Sequence, residues 1–245
     1  MARYGICLTG FTAIRKEPKS SAEMISAAIF GETYEILKEN DEWLQVKLKY
    51  DAYEGWLSKS NHTEIAKDFE DWQVTVQKQI LLKNTTTQEI ILLGPGCKLP
   101  QEEAFFFNNN KFKTLNTQEE SSLNIAFIAK QFLGTPYLWG GKSIYSIDCS
   151  GLVQMVFKAM GLLLPRDSGE QAAALKTTVN FEDIACGDLV FFHKENKINH
   201  VGIALQKNEI IHASGTVHID TLTVEGIVNA KNQLTHHLYS IKRWV

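Results

Sequence analysis

The spacing of apolar residues changes abruptly near Thr117. Before this point, short apolar runs are separated by Pro, Gly, Asn and Asp, a pattern typical of β-strands joined by turns. After it, Leu123 to Phe132 places apolar residues three and four apart, which predicts a helix that Gly134 and Pro136 end. The sequence therefore predicts a β-rich N-terminal half followed by a separate domain that begins with a helix.

The N-terminal half predicts two small β-domains, residues 1–64 and 65–116. Strand-like segments of the first are GICLTGFTAI, ETYEILKE, EWLQVKLKY and EGWLSKS. Between Ser20 and Phe30, a helical turn and a loop crossing a small barrel are both compatible with the sequence. The second segment repeats the pattern with DWQVTVQKQILLK, QEIILLG, AFFFNNN and KFKTLN.

The C-terminal segment, residues 117–245, predicts helices followed by an antiparallel sheet. DCSGLVQMVFKAMG carries one apolar helical face and is followed by a shorter helix at SGEQAAALK. Three strand-like runs come next: GDLVFFH, HVGIALQ and EIIHASG. Helices followed by such a sheet indicate an α+β domain.

Composition excludes several classes of protein. The 245 residues include 44% hydrophobic side chains, enough for a buried core, and 25 Lys and Arg against 28 Asp and Glu give a net charge of −3. No block of like charges suggests nucleic-acid binding, and no apolar run reaches the roughly 18 residues of a membrane span. The N-terminal residues lack a signal-peptide pattern, so we expect a cytoplasmic protein, or one of the cell envelope if a leader was removed.

Four cysteines lie far apart, which argues against a disulfide framework or a structural zinc site. Cys149 comes at the start of the predicted DCSGLVQMVFKAMG helix, where free N–H groups and the helix dipole favour a thiolate. It is either a nucleophile or a small buried apolar residue. Its polar and small neighbours favour the first interpretation, and the remaining cysteines are expected to be structural: Cys7, Cys97 and Cys186.

A base for such a thiol is predicted in the C-terminal hairpin. If the turn pairs Leu205 with Glu209, then Gly202 faces His212, and His200 becomes the diagonal neighbour of His212 on the same face. His200 as base with His212 as its orienting partner is one interpretation, and two solvated histidines are the other. Surface or strand-end positions are expected for the other five: His62, His193, His218, His236 and His237.

Two further points concern the chemistry. Tyr137, in PYLWGG, is either a hydroxyl donor to an oxyanion or a packed side chain. Zinc held by Cys149, His200 and His212 would lack a fourth ligand at fixed spacing, so we expect no metal and no cofactor.

Six motifs occur in one order along the C-terminal segment: GTPYLWGG, DCSGLVQMVF, PRDSGEQ, GDLVFF, NHVGIAL and IIHASG. Together they resemble the NlpC-type (NlpC/P60), papain-like cell-wall cysteine peptidases. The resemblance implies that Cys149 is the nucleophile, His200 the general base and His212 the third polar residue, for which the family also accepts Asn or Gln. Tyr137 is expected to supplement the Cys149 N–H at the oxyanion.

The N-terminal half is similar to bacterial SH3-like domains through RKEPKSSAEMISAAIFGE and DAYEGWL. The first of these domains resembles that of a peptidoglycan-recycling subgroup, whereas the second is inferred mainly from its position. The expected fold class is thus α+β, a papain-like NlpC-type catalytic domain preceded by two small SH3-like β-barrels.

The subgroup's activity implies a γ-D-glutamyl-L-diamino-acid endopeptidase that cuts stem peptides with a free N-terminal L-Ala. By resemblance, the substrate amine is bound by Asp148, Tyr53 and Glu23, with Glu17 as a competing choice for Glu23. Near the D-Glu carboxylate, the resemblance implies a set of polar side chains that includes Ser150 and Ser168.

Peptidoglycan stem peptides (murein fragments) are therefore the expected partner, with no nucleic acid, no membrane span and a monomeric chain. Diaminopimelate and lysine are both open as the diamino acid. Two alternatives remain: a non-catalytic protein that binds peptidoglycan fragments, and an amidase or acyltransferase on the same scaffold.

Overall fold

A computed structural model of the chain describes residues 2–66, 72–116 and 124–244. The chain forms two compact units. The first comprises Met1–Ser122 together with Trp139–Tyr145, and the second comprises Leu123–Leu138 together with Ser146–Val245. The expected change of domain at Thr117 lies outside the described residues.

The first unit is built from short strands. In chain order these are β1 (Arg3–Ile6), β2 (Thr12–Arg15), β3 (Met24–Ala28), β4 (Thr33–Glu39), β5 (Trp43–Leu48), β6 (Glu54–Ser58), β7 (Thr63–Ile65), β8 (Gln73–Val74), β9 (Ile80–Asn84), β10 (Ile90–Leu93), β11 (Lys98–Leu99), β12 (Ala104–Phe107) and β13 (Asn110–Thr114). A 3₁₀ turn, Lys59–Asn61, precedes β7. The first seven strands form one antiparallel sheet in the order β3-β2-β6-β5-β4-β1-β7.

This sheet follows the alternation seen in the sequence. Along β5, Leu44, Val46 and Leu48 are buried while the residues between them are partly exposed. The stretch between Ser20 and Phe30 is neither a helical turn nor a crossing loop, because Met24–Ala28 pairs with β2 as a strand. Alanine favours helices on its own, so pairing with the neighbouring strand overrides the local preference here.

The rest of the first unit holds two smaller sheets. One has four strands in the order β10-β9-β13-β12, and the other pairs β11 with β8. Strand β7 crosses the expected boundary between residues 64 and 65 and pairs with β1. The expectation that residues 65–116 form a second SH3-like domain stays a prediction.

A short segment distant in sequence, Trp139–Tyr145, also belongs to the first unit. The indole Nε1 of Trp139 donates to Glu23, at 3.0 Å, and the amine of Lys142 donates to Glu32, at 3.1 Å. The hydroxyl of Tyr145 bonds to the backbone of Leu92. Three polar side chains therefore hold this segment in the first unit.

The second unit contains three helices and a sheet. The helices are α1 (Ile125–Lys130), α2 (Cys149–Ala159) and α3 (Ser168–Ala174), and the strands are β14 (Thr177–Thr178), β15 (Leu189–Lys194), β16 (Lys197–Gln206), β17 (Glu209–Ser214), β18 (Thr216–Leu222), β19 (Gly226–Val228) and β20 (Leu234–Arg243). A 3₁₀ turn, Phe181–Asp183, precedes β15. The strands are antiparallel in the order β14-β20-β15-β16-β17-β18-β19, and β19 also pairs with β20, so the sheet closes on itself.

All three predicted helices are present. The start predicted for the first helix lies partly outside the described residues, and within them Asn124 caps α1. Helix α2 is the central one, because nearly all of it is buried and it packs against β16 and β17. It ends where Gly161 adopts a positive φ of 76°, a conformation that suits glycine. No helix within the described ranges is long and apolar enough to cross a membrane.

Candidate active site

The start of α2 positions Cys149. Asp148 is the N-cap residue, and its side chain accepts a hydrogen bond from the Gly151 N–H at 2.7 Å. Cys149 itself is 5% exposed. Its thiol lies against the backbone N–H of Val201, the residue that directly follows His200. The fold therefore brings the cysteine of one motif to the backbone of the strand that carries the predicted base.

The resting state of this thiol differs from the expectation. Burial and, to a lesser extent, the negative charge of Asp148 together raise the pKa of Cys149 to about 12, although the N–H groups of Val201 and Ser150 oppose the rise. The N–H group of Ser150 at the helix start favours the thiolate, in the predicted direction, but it does not determine the net shift. Loss of hydration outweighs the favourable N–H groups at this buried site.

A buried ion pair fixes the residues on either side of the thiol. The guanidinium of Arg166 contacts both carboxylate oxygens of Asp148, at 3.0 and 2.6 Å, and also donates to the hydroxyl of Ser150 at 2.9 Å. Arg166 is 1% exposed, and its role was missed from the sequence although PRDSGEQ contains it. Asp148 and Ser150 thus hold the start of α2, and their roles in substrate binding stay predictions.

The predicted hairpin register is confirmed where it matters. Gly202 faces His212, and His200 Nε2 lies 2.8 Å from His212 Nδ1, with the two rings nearly perpendicular. The pairing of Leu205 with Glu209 was wrong, because Gln206 faces Glu209 instead. A bulge between Ala204 and Gln206 absorbs the extra residue and leaves the pairing beyond it unchanged.

The row of polar side chains continues beyond these two histidines. His212 Nε2 lies 3.2 Å from Asp220 Oδ2, and His218 Nε2 lies 3.2 Å from the same oxygen. In the closed sheet, His236 stacks on His200, with ring centroids 4.2 Å apart. His218 and His236 were expected at surface or strand-end positions; both are half-buried within strands, and both contact this row of polar side chains.

The sequence held a signal for part of this row. His212 faces His218 across the β17–β18 hairpin, and Asp220 lies diagonally from His212. The diagonal rule that paired His200 with His212 would have found Asp220 if it had been applied to HASGTVHID. No local pattern predicts the position of His236. It lies on β20, and its neighbours depend on the pairing of β20 with β19 that closes the sheet.

The two central histidines are neutral in this environment. Burial lowers the pKa of His200 well below its ordinary value, and the nearby histidines lower it further. Burial also lowers the pKa of His212 to about 4, partly opposed by Asp220. A neutral imidazole can accept a proton, so His200 is suited to act as a base.

Tyr137 belongs to the same unit and is held by its backbone, whose N–H donates to the Gly215 carbonyl. Burial raises the pKa of its hydroxyl to about 12, and the nearby Cys149 and Asp148 contribute to the rise. The hydroxyl therefore keeps its proton and is able to donate a hydrogen bond close to Cys149.

The remaining predicted site residues divide between the two units. Glu23 accepts from Trp139 and lies 3.7 Å from the Lys16 amine, whereas Glu17 pairs with Lys19 at 2.7 Å. Tyr53 packs against the core of the first sheet, and Ser168 is the first residue of α3. Their substrate contacts, and the choice between Glu23 and Glu17, stay predictions.

The other cysteines divide into two kinds. Cys7 and Cys97 are buried, as expected of structural residues. Cys186 is exposed, so the expectation that it is structural was wrong. It lies in the turn before β15, where it has no core to fill.

Residues that could hold a metal ion also belong to the second unit. Two overlapping groups have ligand atoms within 4.8 Å of one another: His200 with His212 and His236, and His212 with His218 and Asp220. Neither group contains Cys149.

Comparison with known proteins agrees with the order of motifs. Residues 134–237 match the NlpC/P60 family, and residues 14–61 match the bacterial dipeptidyl-peptidase Sh3 domain. The chain is 31% identical to the gamma-D-glutamyl-L-lysine dipeptidyl-peptidase of Bacillus subtilis (strain 168) over 222 residues, which cover 80% of this chain and 75% of that protein. It is 26% identical to dipeptidyl-peptidase 6 of Lysinibacillus sphaericus over 238 residues, covering 81% of this chain and 83% of the relative.

A solved structure shows the same fold. The crystal structure of an NlpC/P60 family protein from Bacillus cereus ATCC 10987 superposes with a TM-score of 0.80 at 18% identity, over 98% of this chain and 99% of that one. The protein therefore has an N-terminal SH3 domain followed by an α+β domain, and the predicted fold class is confirmed. The chain belongs to the NlpC/P60 family and is a peptidase.

Proposed function

We propose that this peptidase hydrolyses the γ-D-glutamyl-diamino-acid bond of peptidoglycan stem peptides that carry a free N-terminal L-Ala, in cell-wall turnover or recycling. Cys149 is the nucleophile and His200 the general base. The observation that carries the mechanism is the chain of hydrogen bonds from His200 through His212 to Asp220. The substrate is supported by the name of the relative in Bacillus subtilis, which specifies a γ-D-glutamyl-L-lysine bond, and by the match of residues 14–61.

The chain of hydrogen bonds assigns the protons. A carboxylate only accepts, so His212 donates its Nε2–H to Asp220 and presents a bare Nδ1 to His200. His200 must then donate from Nε2, which leaves its Nδ1 as the nitrogen that can take a proton. The same bonds stabilise the imidazolium that forms when His200 does so.

The first step transfers the thiol proton of Cys149 to His200 Nδ1 as the sulfur bonds to the γ-carbonyl carbon of D-Glu. Burial disfavours either charge alone, but proton transfer creates the thiolate and the imidazolium together, as an attracting pair. The carbonyl oxygen becomes an oxyanion, for which the Cys149 N–H and the Tyr137 hydroxyl are the donors.

The tetrahedral intermediate then collapses. The bond from the carbonyl carbon to nitrogen breaks, and His200 gives its proton to the departing amine of the diamino acid. Water attacks the remaining thioester, losing a proton to His200, and the sulfur leaves and regains that proton. The products are L-Ala-D-Glu and a peptide or amino acid that begins with the diamino acid.

Recognition of the free amine is assigned to Glu23, Tyr53 and Asp148, as the resemblance implies. Glu23 has an exposed carboxylate that already accepts from an indole N–H, so it has capacity for a further donor. A positive amine needs such acceptors, and acetylation of L-Ala would remove the positive charge. A requirement for the free amine therefore distinguishes an enzyme that cleaves released stem peptides from one that acts on the intact cell wall.

The test is incubation of the full chain with L-Ala-γ-D-Glu-L-Lys and its diaminopimelate counterpart, each with a free and an acetylated N-terminus. We expect L-Ala-D-Glu by mass spectrometry from the free peptides and turnover lower by orders of magnitude on the acetylated ones. Cys149→Ala should abolish hydrolysis, whereas Cys186→Ala, the matched exposed cysteine, should leave it unchanged. Binding without cleavage would show a binding protein, and transfer to an added amine would show an acyltransferase.

The role of Tyr137 has its own test. Tyr137→Phe keeps the ring and removes the hydroxyl, so we expect a loss of roughly 10²- to 10³-fold in kcat, the usual effect of removing one oxyanion donor. An unchanged kcat would leave Tyr137 as a packed side chain.

A further inference from the structure

The outer end of the histidine row contains an unusual contact. His218 Nδ1 lies 2.8 Å from the carbonyl oxygen of Thr216, which only accepts, so Nδ1 must carry the proton. In a neutral ring the other nitrogen, Nε2, then has a bare lone pair, and it faces Asp220 Oδ2 at 3.2 Å. Two acceptors at this distance repel each other unless a proton or a metal ion lies between them.

The surrounding atoms suit a metal ion. His212 Nε2 lies 3.2 Å from the same carboxylate oxygen, and the three ligand atoms are within 4.8 Å of one another. Ligands at roughly 2.0–2.1 Å from a tetrahedral zinc ion are about 3.3 Å apart, close to the two distances observed. The bond from His218 Nδ1 to a backbone carbonyl is also the kind of outer contact that orients a metal-binding histidine.

Access differs among the three ligands. The side chain of His218 is 38% exposed, that of Asp220 is 9% exposed and that of His212 is 1% exposed. An ion can therefore enter past His218, with water completing its coordination. The overlapping group around His236 is less suitable, because His200 Nε2 and His212 Nδ1 already share a hydrogen bond at 2.8 Å.

We propose that His212, His218 and Asp220 form a binding site for Zn²⁺ or a similar divalent transition metal, and that the bound ion inhibits the peptidase. The inhibition rests on the proposed function. An ion on His212 Nε2 takes the place of the proton that this atom donates to Asp220, so the neutral His212 ring then carries its proton on Nδ1 instead of Nε2. That N–H points at His200 Nε2, which can no longer donate to it.

The consequence falls on the base. When His200 takes the proton of Cys149, both its nitrogens carry protons, and Nε2–H needs an acceptor. With the ion bound, it meets an N–H of His212 and a nearby positive charge instead. Proton transfer from the thiol is then disfavoured, although the metal touches neither Cys149 nor substrate.

The experiment separates binding from inhibition. Equilibrium dialysis of the full chain against ZnCl₂ should show one ion per chain, both in the unaltered protein and in Cys149→Ala. His218→Asn and Asp220→Asn should each weaken binding by about tenfold or more. His237→Asn, at an exposed histidine of the same unit, is the matched control and should bind as the unaltered protein does.

Activity is measured on the free-amine peptide with and without ZnCl₂. Zinc should inhibit His218→Asn far less, relative to that variant's own activity without metal, than it inhibits the His237→Asn control. Loss of binding in Cys149→Ala would place the ion at the thiol and overturn the site. Equal zinc binding by His218→Asn and the unaltered protein would also overturn the site. The contact between His218 and Asp220 would then be explained by a proton shared between them. Binding at this site without inhibition would overturn the regulatory half.

If no peptide is cleaved even without metal, the proposed function fails. The dialysis on Cys149→Ala still decides the metal site in that case, so the two failures are distinguishable.

Discussion

Each unit contains a buried cation in contact with acidic side chains, Lys142 in the first and Arg166 in the second, and the two cations differ in the number of carboxylates they contact. In the first unit, the amine of Lys142 lies 3.1 Å from Glu32 and 3.8 Å from Asp51, and all three side chains are at most 2% exposed. In the second, Arg166 contacts Asp148 through two bonds, and Ser150 and the Gly151 N–H share that carboxylate. In the first cluster one amine contacts two carboxylates, and in the second one guanidinium contacts one carboxylate.

This difference indicates what each cation does. Lys142 lies in Trp139–Tyr145, a segment that belongs to the first unit while the residues before and after it belong to the second. Its charge holds that segment in place and separates two like charges. Arg166 instead contacts a helix start that Asp148 already caps. If Arg166 were removed, the Asp148 carboxylate would keep its hydrogen bond to the helix N-terminus.

The largest effect is expected from Lys142→Met, which keeps an apolar chain of similar length and removes the charge. Two buried carboxylates would then repel each other without the amine between them. Breaking a buried ion pair costs about 3–5 kcal/mol, and we expect a loss in this range in the first unit. The measurement is denaturant unfolding with peptide-resolved hydrogen exchange, which assigns the loss to one unit.

Lys47→Met is the matched control. Lys47 lies 3.7 Å from Glu54, and both side chains are more than 40% exposed. An exposed pair contributes about 0.2–1 kcal/mol, so the control should change stability little. Equal losses in the two variants would show that burial of Lys142 adds nothing to its contribution.

Arg166→Met is expected to have the next largest effect on stability. In this variant Asp148 still accepts from the Gly151 N–H and still lies at the positive end of α2. The loss of stability should therefore be about 3 kcal/mol or less, the lower end of the range for a broken buried ion pair, and confined to the second unit. Turnover should fall as well, since the helix start that positions Cys149 loses its brace. Unfolding and kcat are measured on the same protein.

A double variant sharpens this prediction. Asn is as good an N-cap as Asp and carries no charge, so Arg166→Met combined with Asp148→Asn should recover most of the stability. If the double variant is less stable than Arg166→Met alone, the charge of Asp148 stabilises the helix start by itself, and the ion pair is not the main contribution.

Neither buried ion pair was predicted from the sequence, but the helix and hairpin that form the candidate site around the second one were. The start of α2 and the β16–β17 hairpin were predicted because apolar periodicity and strand register are local properties, spanning a few residues. Asp220 follows from the same local rule. The contact between Lys142 and Glu32 joins residues 110 positions apart, and no local pattern records it. A lysine in GGKSIY reads as an exposed loop residue, and only the folded first unit gives it buried acidic partners.

The electrostatics of Cys149 were missed for a related reason. The helix N-terminus was visible in DCSG, but the extent of burial depends on β16 and β17, which pack over α2 from distant parts of the chain. Burial outweighed the local N–H groups and reversed the expected direction of the pKa shift. A local motif thus gives the position of a residue at a helix start, but the charge state of that residue also depends on burial by distant parts of the chain.

The smallest effect is expected from a neutral contact in the first unit, where the hydroxyl of Tyr34 lies 3.0 Å from His62 Nδ1. Burial lowers the pKa of His62 below its ordinary value of 6.5, so the unfolded chain takes up a proton more readily than the folded one. Stability is therefore complete above the unfolded pKa of about 6.5 and decreases as the pH falls below it. Hydrogen exchange in β1 and β4 at about pH 7.5 and about pH 5.5, corrected for the intrinsic pH dependence of exchange, measures this change.

His62→Gln isolates the contribution of this ring, because glutamine still offers an acceptor to Tyr34 and does not titrate in this range. We expect the decrease at low pH to be smaller in the variant, and in both proteins smaller than the effect of Lys142→Met. The imidazole is only half-buried, so water stabilises its charged form in part, whereas the Lys142 cluster is almost fully enclosed. If acidification lowers the stability of the first unit as much as Lys142→Met does, a half-buried neutral contact contributes as much as the buried ion pair. The difference between the two charged clusters would then not explain how much each contributes to stability.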